Sequence, residues 1–133
     1  MSTKNKEPVW IRDDVVVALH NRQLAEHGGP QGTRDQGLLE SALNSPKHKW
    51  HYEKSSLEEL AATVAYGIAR NHPFVDGNKR TAYVCMRLFL KLNGKDITAS
   101  QEEKVKVTLA LASGKIEIED LTDWIKRHLS KNT

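Results

Sequence analysis

Asn78-Lys79-Arg80-Thr81-Ala82-Tyr83-Val84-Cys85-Met86-Arg87-Leu88-Phe89-Leu90-Lys91-Leu92-Asn93, followed by Gly94, is the stretch on which the fold turns. Ala82, Tyr83, Val84, Cys85, Met86, Leu88, Phe89, Leu90 and Leu92 cover nearly every face of a helix. A helix that is apolar all round is one its neighbours enclose. This stretch is therefore expected to be the buried central helix of the domain, with Gly94 as its terminator.

Working outward, the flanking segments are helical too. Ser56 and Glu59 have the spacing of a capping box, opening a helix with Leu57, Leu60, Ala61, Val64 and Ile68 on one side. It must stop before Pro73. Further upstream, a helix from about Asp13 to His27 carries Val16, Leu19 and Leu24 as a stripe, broadened by Val15 and Val17. Asp13 is its candidate cap, and Gly28-Gly29-Pro30 stops it. Asp35 caps a short helix with Leu38, Leu39, Ala42 and Leu43, which Ser45-Pro46 is expected to end. Lys47 to Ser55 is polar around Trp50 and Tyr52, without helical period, and reads as a loop or extended flap. Downstream, Ser100 and Glu103 form a second capping box for a helix ending near Gly114. A last helix, about Glu119 to Leu129, presents Leu121, Trp124, Ile125 and Leu129. With only Ile116 and Ile118 hinting at extension, the fold class is all-α, a compact helical domain around one buried helix.

The chain has 133 residues, the length of one domain, taken here as residues 1–133 with a flexible N-terminus over 1–8. A domain of this size buries about two-thirds of its unfolded surface, enough for a core without disulfides or metals. The lone cysteine, Cys85, has apolar neighbours and reads as a small buried hydrophobe. Met1 to Pro8 lacks the apolar segment of a signal peptide. Thr81 to Leu92 is too short for a membrane span and contains Arg87 and Lys91. A cytoplasmic protein without membrane attachment is expected. Net charge is +3, with Lys and Arg spread along the chain, so no direct nucleic-acid partner is expected. Lys47 and Lys49 form the densest basic patch and read as solvated. His48 and His51 stand three apart, but without the further ligands that a zinc site requires.

The start of the central helix is physically odd. A helix N-terminus exposes unpaired N–H groups and about half a positive charge, so Asp or Glu is favoured there. Here Lys79 and Arg80 occupy the first turn. Two cations at that end are unfavourable unless an anion sits among them. Asn78 can cap, and Gly77 lets backbone approach a ligand closely. Free N–H donors, a permissive glycine and fixed cations make a phosphate site. Asp76 adds a hard oxygen ligand for a magnesium ion that bridges a nucleotide. His72, just before the loop, can take a proton from an incoming hydroxyl. Pro73 and Phe74 read as structural, one stiffening the entry and the other anchoring the loop.

The run His72-Pro73-Phe74-Val75-Asp76-Gly77-Asn78-Lys79-Arg80, with the helices around it, resembles the Fic/Doc family, specifically its Doc ("death on curing") toxin branch. Ala18-Leu19-His20, His27-Gly28-Gly29 and the Asp35-to-Leu43 segment are similar to the same branch, so the resemblance covers most of the chain. Adenylyl-transferring members read H-P-F-x-[D/E]-G-N-G-R-x-x-R. Here Lys79 replaces a glycine, and Tyr83 stands in place of the second arginine. That departure is similar to Doc, and it implies a nucleotide bound the other way round. The γ-phosphoryl group of ATP, with Mg2+, would then pass to a hydroxyl on a protein, in the family a threonine of elongation factor Tu.

The resemblance implies that His72 is the base, Asp76 the magnesium ligand, and Gly77, Asn78, Lys79 and Arg80 the phosphate-binding set. It also implies that Lys47 to Ser55 is the flap that holds an extended target segment. Some relatives carry an inhibitory helix reading [S/T]-x-x-x-E-[G/A]-N. Ser55 to Glu59 matches its first half, but Leu60-Ala61 follows, so inhibition by a separate antitoxin similar to Phd is implied. Two other functions compete: an adenylyl transferase, and a non-catalytic helical module binding nucleic acid or protein.

Overall fold

The computed structural model describes residues 6–30 and 32–130. Among them are six helices: α1 (Asp13–His27), α2 (Gln36–Glu53), α3 (Leu57–Asn71), α4 (Asn78–Leu92), α5 (Gln101–Ala112) and α6 (Ile118–Arg127). No strand occurs among the described residues, only isolated bridges between Thr33 and Phe74 and between Ile97 and Leu129. The all-α expectation holds. None of these helices is long and apolar enough to cross a membrane. The flexibility expected for residues 1–8 falls mostly on residues outside the described range. From Glu7 onward the segment is tied down: the Glu7 carboxylate accepts from Trp10 Nε1 at 2.8 Å, and Val9 exchanges hydrogen bonds with the Asn93 side chain at 2.8 and 3.0 Å.

Five of the six helices keep close to their expected bounds, α4 among them at Asn78–Leu92. α1 spans the expected residues, though its cap position is Arg12, not Asp13, and no side chain closes it. Asp13 is already helical, and its carboxylate accepts the Asp14 N–H at 2.9 Å. Ser56 Oγ accepts the Glu59 N–H at 3.2 Å at the start of α3. The reciprocal half of that capping box is not made, because Glu59 pairs with Lys49 of α2 at 3.1 Å. α5 has both halves of its box. α6 starts one residue early and ends at Arg127, with Leu129 bridged to Ile97 beyond it.

The main departure is α2, which does not stop at Ser45-Pro46 but continues to Glu53. A proline inside a helix costs about 3 kcal/mol, since the carbonyl four residues back loses its donor. That cost is offset because Leu39, Ala42, Leu43, Pro46 and Trp50 form one helical stripe and are all buried. Burying a Trp is worth about 3–5 kcal/mol when judged by its truncation. The stripe packs tightly: a Cβ added to Gly67 of α3 would lie 3.0 Å from Ala42 Cβ. The flap expected over Lys47 to Ser55 is therefore mostly helix. Trp50 packs into the core while Tyr52 stays 87% exposed. Gly32 to Asp35 pairs in strand-like fashion with the loop before α4.

The central helix also differs from expectation. α3 is the most enclosed, with Leu60, Ala61, Ala65 and Ile68 all at 0% exposure. It packs against α2, α4, α5 and α6. Its alanines and Gly67 let those neighbours approach. α4 buries Thr81, Ala82, Cys85, Met86, Phe89 and Leu90 but leaves Tyr83, Val84, Arg87 and Leu88 only partly covered. Cys85 is the expected buried thiol, pushed up to about 12 by burial. The α3–α4 pair is the frame on which the site stands.

Candidate active site

α3 ends and α4 begins on either side of one tight loop, residues 72–77. Its conformation follows from a few local contacts. His72 is the C-cap of α3 and adopts the left-handed region, φ 51 and ψ 56. For a non-glycine residue that geometry is strained, persists only where its surroundings impose it, and is enriched at functional sites. Phe74 is buried, and the side chain of Asn78 closes a ring with its backbone: Phe74 N–H donates to Asn78 Oδ1, and Asn78 Nδ2 donates to the Phe74 carbonyl, both at 3.0 Å. Gly77 takes φ 78, which a side chain rarely tolerates, and this turn launches α4.

Two segments distant in sequence grip this loop. The Arg34 N–H donates to the Pro73 carbonyl at 2.7 Å, and Val75 N–H donates to the Gly32 carbonyl at 3.1 Å. The Arg34 guanidinium donates from Nε to the His72 carbonyl at 2.7 Å and from a terminal nitrogen to the Asn71 carbonyl at 2.9 Å. From the other side, buried His20 of α1 stacks on the Phe74 ring, with centroids 3.8 Å apart and planes at 8°. Its Nε2 lies 2.6 Å from the Asp76 carbonyl oxygen.

The expected site residues meet in one cleft of about 440 Å³, lined by His72, Val75, Asp76, Gly77, Asn78, Lys79 and Arg80 with Ala69 and Ala112. His72, Asp76, Lys79 and Arg80 are exposed there. The first intrahelical bond of α4 runs from Thr81 N–H to the Gly77 carbonyl at 3.0 Å. The N–H groups of Asn78, Lys79 and Arg80 therefore have no intrahelical acceptor and can meet an anion. No acid stands in this first turn, and neither Lys79 nor Arg80 forms an ion pair among the described residues. Asn78 and Gly77 are occupied otherwise than expected. The Asn78 amide holds Phe74, and the Gly77 N–H donates to Asp76 Oδ1 at 2.8 Å. What Asn78 still offers a ligand is its backbone N–H.

The Asp76 carboxylate suits a magnesium ion that arrives with a nucleotide. One oxygen accepts the Gly77 N–H, and Oδ2 faces Gly29 so closely that a Cβ there would approach within 2.8 Å. Among the described residues no group of three or more His, Cys, Asp or Glu could hold a metal by itself. Mg2+ takes one or two carboxylates and completes its shell with water and phosphate oxygens, so a single exposed carboxylate beside two cations and free helix N–H groups fits one carried in with a phosphate.

A second, larger groove of about 780 Å³ adjoins the cleft and shares Lys79 and Arg80 with it. α1, α4 and α5 form its walls, with Leu19, Val84, Leu88, Val105 and Leu109 as apolar floor and Arg87, Lys91 and Lys104 along it. Tyr83 lines this groove rather than the cleft, and its hydroxyl is buried without a hydrogen-bond partner among the described residues.

Sequence reasoning did not single out His20 or Arg34 as part of the loop's support. His20 carried a signal, since it falls on the Val16–Leu24 face of α1, the buried one. Arg34 gave none, because its partners lie 37 and 38 residues away.

Residues 10–90 match the profile of the Fic/DOC family. Over 118 residues the chain is 33% identical to the protein named Protein kinase doc of Escherichia phage P1, covering 88% of this chain and 93% of that protein. Over 90 residues it is 39% identical to the protein named Toxin Doc of Mycolicibacterium smegmatis, covering 66% of each.

Proposed function

We propose that this chain, which belongs to the Fic/DOC family and to its Doc branch, is a toxin of the phosphotransferase type. Its reaction moves the γ-phosphoryl group of ATP to a Thr or Ser hydroxyl of a target protein in the cytoplasm. The observation that carries this reading is the single cleft in which His72, Asp76, Lys79 and Arg80 stand together at the start of α4.

Lys79, Arg80 and the first-turn N–H groups hold the phosphate oxygens and neutralise their charge. Asp76 is the carboxylate that would hold a magnesium ion, which when bound would offset the negative charge of the phosphates. His72 takes the proton of the target hydroxyl as its oxygen bonds to the γ-phosphorus. The bond from that phosphorus to the oxygen bridging the β-phosphate breaks, and ADP leaves with the electron pair. Lys79 fills space that the adenylyl-transferring pattern leaves to a glycine, and Tyr83, in place of that pattern's second arginine, lines the neighbouring groove. Both features favour γ-phosphoryl over adenylyl transfer.

The groove between α1, α4 and α5 supports a regulatory partner. Its apolar floor and basic border suit an amphipathic helix with an acidic flank, the form expected of an antitoxin similar to Phd. Because Lys79 and Arg80 border both spaces, such a helix would compete with phosphate for the same cations. Expression of the chain alone is expected to slow bacterial growth, with growth restored by the antitoxin.

The deciding experiment incubates purified protein with magnesium, ATP and elongation factor Tu, the target that the resemblance implies, and weighs the target intact. A gain of one phosphoryl mass with ADP formation is expected. Gain of an adenylyl mass with pyrophosphate release would replace this reading by AMP transfer. An unmodified target would remove elongation factor Tu as the substrate.

A further inference from the structure

We infer that His20 and Arg34, both outside the loop, are positioning residues that hold its two reacting ends separately: His20 sets Asp76, and Arg34 sets His72. The inference rests on the proposed phosphotransfer and names what keeps that site in register.

His20 is 1% exposed on the inward face of α1. Its Nε2 faces a carbonyl oxygen, which can only accept, so Nε2 carries the proton and donates. The Asp76 carbonyl and the Gly77 N–H belong to one peptide plane. His20 grips the carbonyl edge at 2.6 Å, and the Asp76 carboxylate accepts from the N–H edge at 2.8 Å. Fixing that plane therefore fixes the carboxylate. The ring is stacked on Phe74 and lies close to Gly77, where a Cβ would sit 3.6 Å from the imidazole. For packing alone an apolar side chain would serve better on this face, since a buried imidazole must be hydrogen-bonded to be tolerated. Its one hydrogen bond among the described residues goes to the loop.

Arg34 works at the other end. Side chain and backbone together bind three successive carbonyls, those of Asn71, His72 and Pro73, at 2.7 to 2.9 Å. Its charge sits at the negative end of the α3 dipole. The left-handed turn at His72 is thereby imposed from outside, and it sets the direction in which the imidazole leaves the backbone.

The two residues should fail differently. In His20→Phe the ring stacking can persist while the donor is lost. Calorimetric titration with Mg-ATP should show binding weakened about tenfold or more, the usual cost of losing a partner behind a metal ligand. Hydrogen exchange of the Gly77 amide should quicken, with the melting temperature little changed. His20→Gln, which keeps a donor, should recover part of the binding. In Arg34→Ala, Mg-ATP binding should stay near wild type while turnover falls about tenfold to a hundredfold, the range a displaced base produces. Exchange should quicken at His72, not at Gly77. Wild-type Gly77 exchange in both His20 variants, or equal losses of binding and turnover in the His20 and Arg34 variants, would overturn the inference. Failure of the wild type to bind Mg-ATP or modify any target would overturn the phosphotransfer reading instead, and the exchange data would still judge the positioning.

Discussion

α4 and α5 begin in opposite ways. At α5, Ser100 Oγ accepts the Glu103 N–H at 3.1 Å and Glu103 Oε1 accepts the Ser100 N–H at 3.0 Å. Acids fill its first turn, as the dipole favours. α6 follows the same rule, with Glu119 and Asp120 early and Lys126 and Arg127 late. α4 has no side-chain cap, no acid in its first turn, a left-handed glycine before it and two cations inside it. The same physics acts on all three, so the departure marks a site where local stability has been given up for something else. Sequences that specify a fold are consistent across levels, and exceptions concentrate at functional sites. The cleft lies at the exception.

The comparison breaks or sharpens under five substitutions. The largest effect should come from Phe74→Ala. The ring is 1% exposed, stacked on His20, and its backbone is bound by Asn78. A loss of about 3–5 kcal/mol is expected in a denaturant melt. A much smaller loss would mean that the loop stands without its anchor.

His72→Ala comes next, and it should separate chemistry from fold. Turnover should fall about a hundredfold or more while the melting temperature stays close to wild type, since the imidazole is exposed. Equal turnover in the variant would show His72 to be a helix cap and nothing more.

The direct test of the two helix starts pairs Ser100→Ala with Arg80→Ala. Losing the α5 cap should cost about 1 kcal/mol. Losing a cation from the α4 start should cost nothing or stabilise by about 0.3–1 kcal/mol, because the dipole disfavours it there. Arg80→Ala should weaken binding of ATP or free phosphate in a calorimetric titration, and Ser100→Ala should not. A destabilised Arg80→Ala protein that binds phosphate normally would reverse the comparison.

The smallest effect concerns the bond that joins α5 to α6. His128 Nδ1 faces the Trp124 carbonyl and Nε2 faces Glu103 Oε2, each at 2.7 Å, so both nitrogens meet acceptors, which favours the protonated ring. Its pKa is raised from 6.5, first by Glu103, and Glu103 is lowered from 4.5 to about 2, first by the Ser100 N–H and then by His128. A lowered acid stabilises above its unfolded value and loses this as pH falls toward the folded one; a raised base stabilises below its unfolded value and loses this as pH rises through the folded one. The pair should thus stabilise most between pH 4.5 and 6.5. Glu103→Gln, which keeps the cap, should lower the melting temperature slightly in that window and less at alkaline pH. An equal drop at both would show that the histidine stays charged or contributes nothing.

Much of this protein was written in local chemistry. The bounds of α1, the Ser56 and Ser100 caps, the burial of Cys85 and the α3–α4 junction all depend on residues within a turn or two of each other, where spacing alone states the interaction. So did the set His72, Asp76, Lys79 and Arg80, because a continuous run puts its members in one cleft whatever surrounds it. Tertiary structure decided the rest. α2 runs through Pro46 because burial of Trp50 outweighs a broken backbone bond, and that burial exists only once α3 is in place. α3 rather than α4 became the enclosed helix because four neighbours close on its small side chains. His20 and Arg34 reach the loop across 56 and 38 residues of chain, and contacts at such separation leave no period or spacing to read. They form only when the helices have packed.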